Sequence, residues 1–233
     1  MRDSVFTIIL QLFTRALPIR AFRDIRLKPN EKKPMKHALF PFALLVTFFA
    51  HAQLTDGSHT LSLPESIITW KVDYSIGTKG HEGTLKLSSG TMLVKDGLIQ
   101  GGSFIIDMNS VHVTDMKPDD GGKDLEEHLR SADFLSTSEF PQGHFTVLNS
   151  VRESPNKYTI SGYLILKGIS NTITFPATIT ETKTTLTVKS QFVINRTLWG
   201  INYQSGSIFN LVKDEVISDN MNVTLNFLFK KAQ

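Results

Sequence analysis

His81, His112, His128 and His144 are the residues in the strand-like part of this chain whose type could hold a metal or move a proton. No two of them have the i, i+4 spacing of a zinc-binding helix, and no HExxH stretch occurs. Asp115, Asp119, Asp120 and Asp124 crowd one loop, but their spacing misses the calcium-loop pattern and no bidentate Glu follows at the required place. A solvated turn with helix capping is the expected role. The chain has no Cys, which removes thiol catalysis, Cys-zinc sites, disulfides and a lipid anchor on cysteine. Gly-x-Ser-x-Gly, Walker and dinucleotide-binding patterns are absent. Ser103 follows Gly101-Gly102 but lies in a strand-like run, with nothing to place a base beside it. Two glycosylation sequons, at Asn195 and Asn222, carry meaning only on a eukaryotic secretory route. Trp70, Trp199, Tyr74, Tyr163 and Tyr203 suit either a ligand mouth or ordinary strand positions. The residues therefore predict no catalytic site, no metal and no cofactor.

The elements that would carry these residues alternate with period two. Met221, Val223, Leu225, Phe227 and Phe229 share one parity; so do Leu186, Val188, Ser190, Phe192 and Ile194. Ile173, Phe175, Ala177 and Ile179 form a third stripe, Ile160, Gly162, Leu164 and Leu166 a fourth, and Phe104, Ile106 and Met108 a fifth. Such stripes mean strands with one apolar and one wet face. Asp96-Gly97, Pro155-Asn156-Lys157 and Lys167-Gly168 supply turns between them. Consecutive antiparallel strands follow: an all-β, up-and-down barrel of about eight strands. One short helix is expected near Asp124–Arg130, capped by Asp124 or a neighbour, after the polar loop Thr114–Gly122. A barrel of this size is filled by side chains or holds one ligand. The small inward positions Gly162, Ala177 and Ser190 fit both readings.

Composition bounds the rest. The chain has 233 residues, 40% hydrophobic and 20% charged, with a net charge of +3. Nine of its Lys and Arg and three of its acids lie in residues 1–52, so residues 53–233 hold sixteen against nineteen, a net −3. That balance does not support a nucleic-acid partner. Residues 35–52 read as a signal peptide: Lys36, an apolar run from Ala38 to Phe49, then Ala50-His51-Ala52 with cleavage before Gln53. The run is too short for a membrane span, which needs about 20 residues. Residues 1–34 read as a non-structural leader or a misassigned start upstream of Met35. Residues 53–233 are long enough for one domain with a substantial core.

Four blocks carry a resemblance. Trp70-Lys71-Val72-Asp73-Tyr74-Ser75 opens the domain as YceI-like proteins open. His128-Leu129-Arg130-Ser131-Ala132-Asp133-Phe134-Leu135, with Glu139-Phe140-Pro141 and Phe145, is similar to that family's middle signature. Gly162 to Ile169 resembles its strand and turn, and Asn195-Arg196-Thr197 with Trp199 to Tyr203 resembles its late element. Asn195 stands where the family commonly has Asp, which puts a salt bridge to Arg196 in doubt; Ile165 stands where Thr is usual.

The resemblance implies a lipocalin-like barrel, exported to the periplasm or secreted, that binds a polyisoprenoid or isoprenoid-quinone-like lipid in an apolar tunnel without catalysis. Strand parity would then line the tunnel with Phe104, Ile106, Met108, Phe145, Ile160, Leu164, Leu166, Phe175, Leu186, Val188, Phe192, Leu225 and Phe227. His128 and Arg130 would meet a head group near one end, or equally cap the helix and pin the loop. An enzyme acting on a lipid in the same barrel and a filled-core interaction domain are the alternatives, and a homodimer through an edge or mouth is left open.

Overall fold

The computed structural model describes residues 53–74, 79–208 and 216–231; the expected signal peptide and leader, residues 1–52, lie outside them. Nine strands form in chain order: β1 (Gly57–Leu61), β2 (Ile67–Tyr74), β3 (His81–Lys95), β4 (Leu98–Val113), β5 (Gln142–Ser154), β6 (Lys157–Leu166), β7 (Ile169–Glu181), β8 (Thr185–Asn195) and β9 (Ile217–Lys231). Every neighbouring pair is antiparallel, and the ladder runs from β2 through β9, β8, β7, β6, β5 and β4 to β3, which pairs back with β2. The sheet is thus a closed barrel of eight staves. β1 completes one stave rather than adding a ninth. It pairs with the far halves of β3 and β9, along the same two strands that flank β2, and a 3-10 turn at Leu63–Glu65 breaks the stave between them. The seam between β7 and β8 is the short one: these strands pair only over Thr178–Glu181 and Leu186–Lys189, and the ladder between them stops at Ala177 and Ser190.

Turn chemistry sets the hairpins. Asp96-Gly97 and Lys167-Gly168 place both central residues at positive φ (55° and 71°; 47° and 71°), the I′ geometry whose twist matches flanking strands. Apolar residues of the quoted stripes point inward, while Thr, Asn, Lys and Gln of the same strands point outward. That is the reverse of a lipid-embedded barrel.

The helix α1 (Gly122–Arg130) starts two residues earlier than expected, and Asp124 does not cap it. Gly121, at φ 97°, occupies the N-cap without a side-chain bond, so Asp124 falls inside the first turn. Leu125, His128 and Leu129, at i, i+3 and i+4, lie on one face of the helix and turn toward the barrel. The opposite tie is polar. Val113 N and His112 Nδ1 meet Glu126 Oε1 at 3.0 and 2.7 Å, and Arg130 donates to Glu126 Oε2 and to the carbonyls of Asn109 and Val111. Burial pushes the Glu126 carboxyl up, but these bonds outweigh it and hold the pKa below the ordinary value.

Candidate functional site

A cavity of about 440 Å³ occupies the half of the barrel next to α1. Its wall is almost wholly apolar, with polar side chains at the rim: Asp73 and Tyr74 from the end of β2, His81 from the start of β3, His128 from α1, and Arg196, Tyr203 and Gln204 from the segment after β8. That size and lining suit one small or chain-like apolar ligand.

The other half is filled. Ile99, Val94, Leu186, Tyr158 and Phe229 are each at most 1% exposed. Leu54 is buried against this end, held there because Glu181 accepts the Thr55 N–H while pairing with Lys231 Nζ at 2.6 Å. Phenylalanines separate the halves. Phe104 lies 5.9 Å from Phe227 and 6.3 Å from Phe145; Phe145 lies 5.6 Å from Phe175, and Phe175 stacks on Phe192 at 4.5 Å. All five line the cavity, and Phe104 also meets Phe229 of the filled half edge-on at 6.0 Å. The expected tunnel is therefore a blind pocket with an aromatic floor.

Of the fifteen expected site residues, Phe104, Ile106, Met108, His128, Phe145, Leu164, Leu166, Phe175, Phe192, Leu225 and Phe227 line this cavity. Ile160, Leu186 and Val188 share the inward parity but lie beyond the floor, in the filled half; parity gives the face, not the depth. Arg130 does not face the cavity, because its guanidinium is committed to Glu126 and two carbonyls of β4. Of the small inward positions, Gly162 opens no space. A Cβ on Gly162 would come within 2.5 Å of the Phe145 ring, and one on Gly90 within 2.9 Å of Phe104, so each glycine seats a phenylalanine of the floor.

Residues the parity argument passed over include Ile68, Trp70 and Val72 on β2, Leu85 and Leu87 on β3, and Val111 on β4. On β2 the alternation was visible in the sequence. On β3 and β4 bulges hide it: the inward set switches from Leu85 and Leu87 to Met92 and Val94 across an irregularity at Leu87/Ser89. Of the aromatics considered as a mouth, Trp70, Tyr74 and Tyr203 line the cavity. Trp199 is buried beside it and donates to the Leu164 carbonyl, while Tyr163 faces solvent.

The rim is fixed by a buried cation. Arg196 is 1% exposed and donates to the carbonyls of Ile201, Ile217 and Ser218 at 2.7, 3.1 and 3.0 Å. Asp219 lies 3.7 Å away and supplies the countercharge, while Asn195 accepts from the Thr197 N–H and hydroxyl instead. Burial pushes the Arg196 pKa down against the pull of Asp219. Its guanidinium also stands 5.8 Å over the Phe134 ring. His128 packs edge-on against Tyr203 at 4.5 Å, and Lys167 donates to the Phe134 carbonyl at 2.9 Å. His128 Nε2 and Trp70 Nε1 are buried without a hydrogen-bond partner among the described residues. No group of three His, Asp or Glu among the described residues is placed to hold a metal.

The YceI-like domain family matches residues 59–229, most of the chain. Protein YceI of Escherichia coli O157:H7 is 35% identical over 71 residues, which cover 30% of this chain and 37% of that protein. Protein YceI of Salmonella arizonae is 25% identical over 145 residues, 61% of this chain and 72% of its own length. Among solved structures, Burkholderia cenocepacia BcnA superposes with a TM-score of 0.59 at 19% identity, covering 72% of this chain and 98% of its own. A polyisoprenoid binding domain from Saccharophagus degradans gives 0.54 at 14% identity, over 75% and 98%. These two share the fold. The four signature blocks of the sequence all gather at the cavity end, where Trp70, His128, Phe134, Leu164, Arg196 and Tyr203 surround one mouth.

Proposed function

The chain belongs to the YceI-like domain family, and from that premise we propose that it is an exported carrier of an isoprenoid or similar chain-like lipid. The lipid would sit tail-down in the barrel cavity, for transport, storage or sequestration in the bacterial envelope. The single observation that carries this reading is the pocket itself: an apolar wall closed at one end, with polar side chains only at the rim. Each CH₂ withdrawn from water there gains about 0.8 kcal/mol, against the cost of ordering the chain. Binding needs no chemical step from the wall. Among the described residues, Trp70 Nε1 and His128 Nε2 belong to cavity-lining side chains and are buried without a hydrogen-bond partner, so each can bond a head-group oxygen. Arg196 lines the pocket with three of its five N–H donors bonded to carbonyls and its charge countered by Asp219 at 3.7 Å, which favours an uncharged head such as an alcohol or quinone. Export rests on the signal-peptide pattern of residues 35–52.

The chain has two tryptophans, and Trp70 lines the cavity while Trp199 is tied to the Leu164 carbonyl. Titration of the Trp199→Phe protein with farnesol should produce a saturable change in Trp70 emission. Unchanged emission at stoichiometric farnesol and beyond would overturn the carrier reading.

A further inference from the structure

β7 and β8 run past the cavity as neighbours but are laddered only at the closed end, where Thr178–Glu181 meet Leu186–Lys189. Beyond that ladder each strand keeps its other neighbour, β7 with β6 and β8 with β9, and leaves the shared side unpaired. Pro176 marks the stop. It has no N–H to offer β8, and its carbonyl takes the Ser190 hydroxyl at 2.5 Å in place of a ladder bond. The next tie across the seam lies past the end of β8, where Asn171 Nδ2 donates to the Leu198 carbonyl at 2.9 Å. Between these two clasps the wall is closed by side chains. Continuing the ladder's register sets Phe175 opposite Phe192 and Ile173 opposite Ile194; all four line the cavity, and the two rings stack at 4.5 Å.

The outer lips of this seam carry no charge. Residues 169–177 of β7 and 190–195 of β8 include no Lys, Arg, Asp or Glu, and neither do the flanking residues 161–166 of β6 and 220–225 of β9. Ile169, Val193 and Leu198 are nonetheless 42%, 55% and 56% exposed. Exposed apolar side chains on an uncharged wall, beside an apolar cavity, suit contact with a lipid surface. Parting the strands here separates two stacked rings and two side-chain bonds and breaks no ladder, so it is the cheap way through the wall. The α1 end is held more firmly, because Arg130, Lys167 and Arg196 are each bonded there to backbone carbonyls. We propose that the β7–β8 seam is a side portal, its uncharged lips lying against a bilayer while a lipid tail slides between the strands into the cavity. The proposal rests on the carrier reading and adds to it a route and a partner surface.

The chain has no Cys of its own, so a thiol cross-link can be placed without competition. Thr174→Cys with Val193→Cys sets two outward thiols opposite each other across the open seam, and Gln191→Cys with Thr224→Cys sets two across the intact β8–β9 ladder as a control. Each delipidated full-length protein is bridged with a short bis-maleimide or capped with N-ethylmaleimide, then mixed with phosphatidylcholine vesicles carrying geranylgeraniol. Protein separated by gel filtration at timed intervals is assayed for prenol by mass spectrometry. Bridging the seam should slow filling about tenfold relative to the capped protein, while bridging the control ladder leaves the rate unchanged. Val193→Asp combined with Leu198→Asp should slow filling from vesicles and reach the same final content, because it puts charge on the lips and leaves the cavity wall as it was. A bridged seam that fills as fast as the capped one overturns the portal and leaves the carrier reading intact. Filling of the lip variant at the wild-type rate overturns the bilayer contact. Capped protein that takes up no prenol overturns the carrier reading and the portal together.

Discussion

On β8, Leu186 stands opposite Phe229 of β9, whereas four residues further along the same inward face Ser190 stands opposite Leu225. The first pair is sealed in the filled half, with Leu186 wholly inaccessible. At the second, the Ser190 hydroxyl turns away to the Pro176 carbonyl, and Leu225 faces the cavity. The same two strands, with the same alternation, build a solid core at one end of the barrel and a container at the other. Alternation decides which residues point inward. The volumes that meet across the ladder, and the five rings between the halves, decide whether the space is filled.

The largest effect should come from the rim. Arg196→Met leaves three carbonyls without their donor and Asp219 without its countercharge, and should cost about 4 kcal/mol in denaturant unfolding, in the range for breaking a buried ion pair. A cost under about 1 kcal/mol, as at exposed pairs, would mean the open end does not depend on this tie.

Next comes the direct contrast between the halves. Leu186→Ala removes a side chain packed on all sides and should cost about 3 kcal/mol, whereas Leu225→Ala trims a wall that already faces a void and should cost about 1 kcal/mol. Equal costs would break the distinction between core and container.

Adding volume sharpens it further. Ile160→Trp overpacks the filled half and should cost about 2 kcal/mol, while Leu164→Trp grows into the cavity and should cost under about 1 kcal/mol. Only Leu164→Trp should abolish farnesol uptake, read by mass spectrometry of the protein after gel filtration, because it occupies the space the tail would take. Uptake unchanged in Leu164→Trp would remove the tail from this cavity.

The smallest effect concerns pH at the closed end. Burial raises the Glu181 carboxyl, but Lys231 and the Thr55 N–H outweigh it and hold its pKa below the ordinary value. A group lowered in this way stabilises the fold above its unfolded value of about 4.3, and that contribution is lost as pH falls through the lower folded value. The stability difference between the wild type and Glu181→Gln should therefore be present at neutral pH and vanish on acidification. A difference that persists at the acid end would show that packing, rather than charge, holds Leu54 in place.

The staves, the hairpins and most of the cavity wall were legible because each rests on local chemistry: period-two stripes, Asp96-Gly97 and Lys167-Gly168 at positive φ, and a mouth signature spread over four blocks. Depth was not legible. Ile160, Leu186 and Val188 carry the same parity as Leu164 and Phe192, and their place beyond the floor depends on which rings of other strands meet them. Bulges hid Leu85 and Leu87, because a one-residue slip exchanges the two faces within a single strand. The role of Arg130 was also nonlocal, set by carbonyls of β4 that lie about twenty residues away in the chain. Asn195 shows the same limit. Its departure from the family's common Asp left the pairing of Arg196 open, and Asp219 on the next strand supplies the charge.

The most direct test of a half-barrel built to hold a lipid is organic extraction of the full-length protein purified from a bacterial host, followed by mass spectrometry. The account predicts a near-stoichiometric apolar lipid with an isoprenoid tail and an uncharged head. A protein that yields no lipid, and that takes up no prenol when one is added, would contradict it.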